Sequence, residues 1–205
     1  MLEEMAALQT LLVVAYPAAV YFALRFASPR AIALCTLGLL AARLLLVAPA
    51  RLLAFARVFA PVAVTFAAAS LAAFVWNDAL GLLLAPALFN LALLLVFAAS
   101  FARSETVVEA LASEQVGELS AEERSYCRRV NAVWCVFFAG NGALCAYLAL
   151  DASRESWALY TGVIAYLALG ALFAAEYVYR HWRFRRYVGA PTDTLLRRLF
   201  PPRTP

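Results

Sequence analysis

The chain alternates between long apolar blocks and short polar links. Each block is long enough, at about 1.5 Å per residue, to cross about 30 Å of hydrocarbon as a helix. A helix is also the form in which a single spanning segment satisfies its own backbone hydrogen bonds. The pattern therefore predicts an all-α integral membrane protein, a polytopic bundle of about six transmembrane helices, with spans at 5–26, 31–49, 56–76, 79–101, 131–150 and 156–179.

The second block is the weakest of the six. Arg43 interrupts its apolar run, and Pro49 ends it. An arginine at the middle of the bilayer costs about 2.5–3.5 kcal/mol of insertion free energy, although Arg43 lies near enough to the end of its block to reach the headgroups. A five-span arrangement, with this block or the first lying in the interface, therefore stays open.

Two polar segments stand apart from the blocks. The acidic loop 102–130 is the one long link, and it belongs to a transmembrane domain that we place at 1–188. Residues 189–205 form a proline-rich tail, which we expect to be poorly ordered.

The acidic loop carries signals of helical structure. Ser120-Ala-Glu-Glu123 has the spacing of a capping box, and it would start a helix that continues into the fifth span. The loop is interpreted as a short amphipathic helix at the membrane surface or, alternatively, as a docking surface for a cytoplasmic partner. Its thin apolar stripe consists of Val107, Val108, Leu111 and Val116.

The arginines predict the orientation in the membrane. With the N-terminus inside, the external links hold Arg25, Arg30 and Arg154, and every other arginine is cytoplasmic. Basic residues are enriched on the cytoplasmic side of multi-pass proteins. Both termini are therefore expected in the cytoplasm. The frequent alanine and the use of arginine for every Lys or Arg position are typical of a GC-rich bacterial genome.

Composition supports the membrane class and narrows the partners. Apolar residues make up 65% of the chain and charged residues 15%, whereas an ordinary soluble domain has about 25% charged residues. The net charge is +4, but the arginines lie at block ends and in the tail without a nucleic-acid motif, so no nucleic acid is expected. The alternating arginines and aromatics of 180–187 are typical of anchoring to anionic lipid headgroups.

A few polar residues fall inside the predicted spans, where placing a polar side chain in hydrocarbon costs free energy. Asn90 and Asn141 lie at the middle of the fourth and fifth spans. On the fifth span a stripe about 80° wide collects polar and aromatic side chains. It could face a polar lipid or substrate pocket, or it could form hydrogen bonds between helices. The stripe consists of Asn131, Trp134, Phe138, Asn141 and Cys145.

Glu176 is an acid close to the end of the sixth span, and Arg180 follows it at the spacing of a local ion pair. An intramembrane acid also suits a proton relay. The candidate functional or packing residues are therefore Asn90, Asn131, Trp134, Asn141, Glu176 and Arg180.

Signatures of catalysis and of metal binding are not found in the sequence. The chain has one histidine and four scattered cysteines, and it carries no acyltransferase or phosphatidyltransferase motif. We therefore predict no catalytic, cofactor-binding or metal-binding residue and no enzyme activity. Pairs of small residues such as Ala158/Gly162 permit close helix contact and a homo-oligomer.

Several segments resemble the septation protein A family of bacterial inner-membrane-spanning proteins. The run from Arg129 to Phe138, with Gly142 and Tyr147, resembles its fifth-span signature, and Tyr177–His181 resembles its C-terminal end. Trp76-Asn77-Asp78 with Pro86, and the early Tyr16-Pro17, also match. The resemblance runs along nearly the whole chain to about residue 181.

The departures from that family indicate a sister branch of small bacterial membrane proteins. Cys145 stands where the family has asparagine, Glu176 where it has an apolar residue, and Ala79–Leu83 replaces a basic-aromatic link. Members of the branch accompany genes for aryl-polyene type lipids and pigments. The resemblance implies an inner-membrane protein of cell-envelope function.

Two functions follow as expectations. The first is a non-enzymatic scaffold or organiser in envelope or lipid assembly, with envelope or lipid-synthesis proteins as partners and anionic lipid at the arginine-rich tail. The second is a transporter of lipids or small molecules, or a membrane enzyme of lipid or aryl-polyene metabolism, with a polar cavity in the middle of the membrane.

Overall fold

The computed structural model describes residues 19–46, 64, 67–187 and 192–201. Within these ranges the chain is helical and contains no strand. Its helices are α1 (19–26), α2 (Pro29–Leu46), α3 (Ala67–Trp76), α4 (Leu80–Ser100), α5 (Val107–Val116), α6 (Ala121–Asp151), α7 (Arg154–Leu159), a π-helical turn (Tyr160–Ile164), α8 (Ala165–Phe184) and α9 (Asp193–Leu199).

Three of the described helices are long and apolar enough to cross a membrane: Leu80–Ser100, Ala121–Asp151 and the continuous stretch Arg154–Phe184. Large apolar side chains are exposed on them, as at Val136 (74%) and Leu167 (68%), which suits a lipid environment. The all-helical class is thereby confirmed for the described residues, and three of their helices fit a membrane protein. The count of six spans stays a prediction, because a large part of each of the blocks 5–26 and 56–76 lies outside the described residues, as does the side chain of Arg43.

The capping box at Ser120 and the long helix that it begins are both confirmed. The Ser120 amide donates to Glu123 Oε2 over 2.8 Å, and the Glu123 amide donates to Ser120 Oγ over 3.3 Å. The helix then continues for 31 residues, or about 46 Å, well beyond the thickness of the hydrocarbon. Because charged residues are concentrated in its first turns, we place 121–130 outside the hydrocarbon.

The acidic loop folds into α5, but its buried face differs in part from the predicted apolar stripe. Leu111 is 53% exposed, whereas Glu109 and Ala112 are buried. Glu109 turns inward because it accepts from the Thr106 amide over 2.7 Å and lies 3.8 Å from Arg128. Val107, Val108 and Val116 of the predicted stripe are half-buried, so the stripe forms part of the packed face and only Leu111 departs from it.

The chain divides into two compact units. The first unit comprises Met1–Leu93 with Phe138–Tyr166, and the second comprises Leu94–Phe137 with Leu167–Pro205. The first unit contains a buried apolar cluster around Leu82 and Trp157. Here α3 and α4 approach so closely that a Cβ at Gly81 would lie 2.6 Å from the Ala69 carbonyl oxygen, a distance only glycine permits.

The second unit is held by polar contacts near helix ends. Thr106 and Glu109 form a further capping box at the start of α5. The segment 189–205, expected to be poorly ordered, contains the helix α9, and the Tyr187 hydroxyl donates to the Phe200 carbonyl just beyond it. This hydrogen bond ties the end of α9 to Tyr187, and it explains how a proline-rich segment can contain a short helix.

Candidate functional site

The six candidate residues divide between the two units. Asn90 and Asn141 belong to the first, whereas Asn131, Trp134, Glu176 and Arg180 belong to the second. Each unit therefore has its own polar site, and the two sites differ in chemistry.

A chain of neutral hydrogen bonds joins three helical segments of the first unit. The Tyr160 hydroxyl donates to Asn141 Oδ1 over 2.8 Å, and Asn141 Nδ2 donates to Asn90 Oδ1 over 3.0 Å. Asn90 Nδ2 in turn donates to the Pro86 carbonyl over 2.8 Å. Each of the three side chains donates a hydrogen bond to the next group, so both amides and the phenol take part in the chain.

Tight packing accompanies this hydrogen-bond chain. Asn90 is 6% exposed, and a Cβ at Gly142 would lie 3.0 Å from the Asn90 Cβ. Because glycine lets the α6 backbone approach α4 at this level, the two asparagines can meet directly. The absence of a titratable carboxylate or imidazole from the chain of contacts means that it suits helix association better than proton transfer.

Tyr160 was not among the predicted residues. It begins the π-helical turn, in which the Ala165 amide bonds to the Tyr160 carbonyl five residues back. One turn earlier, the buried Trp157 donates from Nε1 to the Leu83 carbonyl over 2.9 Å. Leu83 lies three residues before Pro86, so the indole bonds to a carbonyl in the turn that precedes the proline. A tyrosine in an apolar block carries no sequence signal that separates this role from ordinary packing.

Asn131 and Trp134 contribute buried contacts to the second unit. Asn131 is fully buried and donates from Nδ2 to the Phe97 carbonyl over 3.0 Å and to Ser100 Oγ over 3.4 Å. Trp134 is 5% exposed, and its ring lies 4.5 Å from that of Phe173. The predicted stripe on α6 is therefore the buried face of that helix at both residues.

A group of ion pairs and hydrogen bonds lies where α6 begins and α8 ends, and we call it the charged cluster. Glu176 and Arg180 form the ion pair that their spacing predicts, with 3.5 Å between Oε1 and Nε. Arg186 lies 2.9 Å from Glu123, and Arg183 pairs with Glu122. The charged cluster comprises Glu122, Glu123, Glu176, Arg180, Arg183 and Arg186.

The charged cluster changes the picture of the basic run 180–187. Its arginines were expected to anchor the chain to lipid, but Arg183 and Arg186 are engaged with acidic side chains of the same unit. Arg185 donates to the Pro201 carbonyl over 2.6 Å. Lipid contact by this run stays a prediction, and it would have to compete with these internal partners.

A cavity of about 280 Å³ lies beside the charged cluster, within the second unit. Its polar wall includes Gln115, Glu123, Tyr126, Arg180 and Arg186. Burial, followed by the charge of Glu176, raises the pKa of Tyr126 above its ordinary range, and its hydroxyl donates to Glu176 Oε1 over 3.5 Å. Burial also raises the pKa of the Cys127 thiol to about 11, which makes it a poor nucleophile near neutral pH.

Sequence reasoning missed this cavity because its walls come from three separate helices. A second cavity, of about 260 Å³, has largely apolar walls that include Val130, Val133 and Leu172. Among the described residues there is no group of three or more histidine, cysteine, aspartate or glutamate side chains that could hold a metal ion.

Comparison of the chain with protein-family models, with curated proteins and with solved structures found no match. The resemblance to the septation protein A family therefore stays a prediction that rests on its short motifs.

Proposed function

We propose that the chain is a non-enzymatic scaffold of the bacterial inner membrane that organises proteins of envelope or lipid assembly. Both termini and the charged cluster face the cytoplasm in this proposal, as the placement of the arginines predicts. The observation that carries it is the hydrogen-bond chain from Tyr160 through Asn141 and Asn90 to Pro86. The two mid-span asparagines, where chemistry was most expected, are engaged in joining helices.

The scaffold needs a surface for partners, and α5 supplies one. Three neighbouring side chains of α5 are exposed: Leu111, Glu114 and Gln115. An apolar side chain next to an acidic one suits a partner with a small basic, partly apolar patch.

Gentle-detergent purification of the tagged protein tests the scaffold. We expect envelope or lipid-synthesis proteins to be recovered with the unmodified chain and to be lost from the Leu111→Ser, Glu114→Arg double variant. Asp151→Arg, which reverses an exposed acid at the other end of α6, is the matched control and should retain them. Recovery of the same partners with all three proteins would contradict the role of α5, and recovery of none with the unmodified chain would contradict the scaffold.

The cavity of about 280 Å³ favours a second candidate, the handling of a lipid or small molecule. Ligand sites are concave and combine apolar walls with a few polar groups, as this cavity does. Lipid and pigment profiles of a deletion strain test this candidate. A changed profile restored by the unmodified gene but not by a Gln115→Leu, Tyr126→Phe double variant, whose two positions line this cavity, supports lipid handling, whereas full restoration by that variant contradicts it.

The orientation has its own test. Reporter fusions at residues 115 and 200 should both report the cytoplasm. A periplasmic signal from either fusion would overturn the proposed topology.

A further inference from the structure

The cavity beside the charged cluster presents an unusual set of donors. Arg180 and Arg186 line it together with Tyr126 and Tyr177, whose hydroxyls already bond to Glu176 and Thr192 respectively. One carboxylate, that of Glu123, also lines it, and Glu176 lies beside it through its pair with Arg180. The walls therefore offer more hydrogen-bond donors than acceptors.

Arg180 has a donor that the described residues do not use. Its Nη1 donates to Gln115 Oε1 over 3.4 Å, but its Nε is buried and makes no hydrogen bond within the described part of the chain. The nearby Glu176 Oε1, at 3.5 Å, supplies charge without an aligned bond. Because that Nε is sealed from the cavity as well as from solvent, Arg180 can reach a ligand there only through its Nη groups, one of which makes the long bond to Gln115.

Arg186 can contribute a second guanidinium group as a hydrogen-bond donor. Its Nε lies 2.9 Å from Glu123, and its Nη1 donates to the Glu118 carbonyl over 3.1 Å, which leaves part of its five-donor guanidinium for another acceptor. Guanidinium groups match the geometry of phosphate oxygens and bind them in a bidentate manner. Two such groups on one cavity point to a phosphate.

The remaining walls indicate where that phosphate comes from. Ala112, Val116, Leu119 and Phe184 are apolar and line the same cavity. At about 30 Å³ per water molecule, about 280 Å³ holds a small headgroup and not a whole lipid. The cavity also adjoins the turns of α6 that leave the hydrocarbon, the depth at which lipid phosphates lie.

We propose that this cavity binds the phosphate group of an anionic phospholipid, with Arg180 and Arg186 as donors and the apolar wall against the glycerol region. This site goes beyond the scaffold and does not depend on which proteins the scaffold organises. Binding gives the Nη groups of Arg180 a stronger acceptor than Gln115, and it draws Arg186 partly away from Glu123.

The test uses the full chain purified in a neutral detergent. Its affinity is measured for short-chain phosphatidylglycerol, for short-chain phosphatidylcholine and for inorganic phosphate. We expect phosphatidylglycerol to bind more tightly than phosphatidylcholine. Arg180→Gln should weaken phosphatidylglycerol binding about tenfold or more, the equivalent of a lost charged hydrogen bond. Arg180→Lys keeps the positive charge but not the planar guanidinium group. Its affinity for phosphatidylglycerol should lie between that of the unmodified chain and that of Arg180→Gln.

Arg185→Gln is the matched control, because Arg185 carries the same charge nearby but bonds to Pro201 and does not line the cavity. Its phosphatidylglycerol affinity should stay within about twofold of the unmodified chain. Since Arg180→Gln also removes an ion pair, Val116→Trp provides an independent route. It fills the cavity, leaves every charge in place and should weaken binding as well.

The outcomes separate the two sources of phosphate. Inorganic phosphate that binds as tightly as phosphatidylglycerol, and only with Arg180 intact, keeps the phosphate site but assigns it to a soluble ligand. Equal binding of phosphatidylglycerol and phosphatidylcholine overturns the proposal. Equal losses in the Arg180→Gln and Arg185→Gln variants, or undiminished binding by Val116→Trp, also overturn it.

Discussion

The two candidate sites of the protein use opposite kinds of polar contact. In the first unit, neutral amides and a phenol pass hydrogen bonds from Tyr160 to Pro86. In the second unit, carboxylates and guanidinium groups pair near helix ends. Unpaired charge is expensive in hydrocarbon, whereas a neutral hydrogen bond is not, so each site uses the contact that its predicted surroundings tolerate. The first kind should resist salt, and the second should not.

The largest expected change in stability is at Gly142, where α6 and α4 of the first unit approach closely. Gly142→Leu should lower the free energy of unfolding by about 1–3 kcal/mol, because its side chain meets Asn90 and forces α4 away from α6. Thermal unfolding in detergent measures the loss. Gly140→Leu is the control, since a Cβ there meets nothing within 4 Å. Equal stability of the two variants would contradict the close approach.

Removal of the central amide gives the next largest effect. Asn90→Leu leaves Asn141 Nδ2 without its acceptor, and it should cost about 0.6–2 kcal/mol of stability. Unfolding curves at low and high salt should show the same loss, because no charge is involved. A loss that shrinks markedly in high salt would mean that the contact is not the neutral hydrogen bond described.

A smaller effect is expected at the charged cluster. Glu123→Gln removes the charge that faces Arg186 but keeps a side chain able to complete the Ser120 capping box. The expected loss is about 0.2–1 kcal/mol, since Arg186 is partly exposed to solvent, and it should diminish as salt is raised. Glu114→Gln, at an exposed position on α5, is the control and should be nearly neutral.

The smallest effect is expected at the most exposed pair. Arg183 and Glu122 are 40% and 59% exposed at their side chains, so Arg183→Gln should change stability by less than about 0.5 kcal/mol. The same unfolding measurement checks it. A loss as large as that of Asn90→Leu would remove the distinction between the two units.

Local rules predicted a good part of this structure. The Glu176–Arg180 ion pair follows from side chains one helical turn apart, and the Ser120 cap follows from its spacing with Glu123. The same rule would have found the Thr106–Glu109 cap, because that sequence carries the identical spacing. Features within one helix or turn are readable because neighbouring residues alone determine them.

Contacts between distant segments could not be predicted from the sequence. The two asparagines were each identified as membrane polar residues, but their direct hydrogen bond and the donor from Tyr160 required the packing of separate helices. The cavity beside Arg180 likewise depends on α5, α6 and α8 meeting. Hydropathy cannot specify such meetings, because it reports the burial of each residue without naming its partner.

The most direct test of the neutral contact is a double-mutant cycle between Asn141→Leu and Tyr160→Phe, followed by unfolding in detergent. The account predicts a coupling free energy of about 0.6–1.7 kcal/mol that is the same at low and high salt. Additive losses, with no coupling between the two positions, would contradict the claim that this hydrogen-bond chain holds the helices of the first unit together.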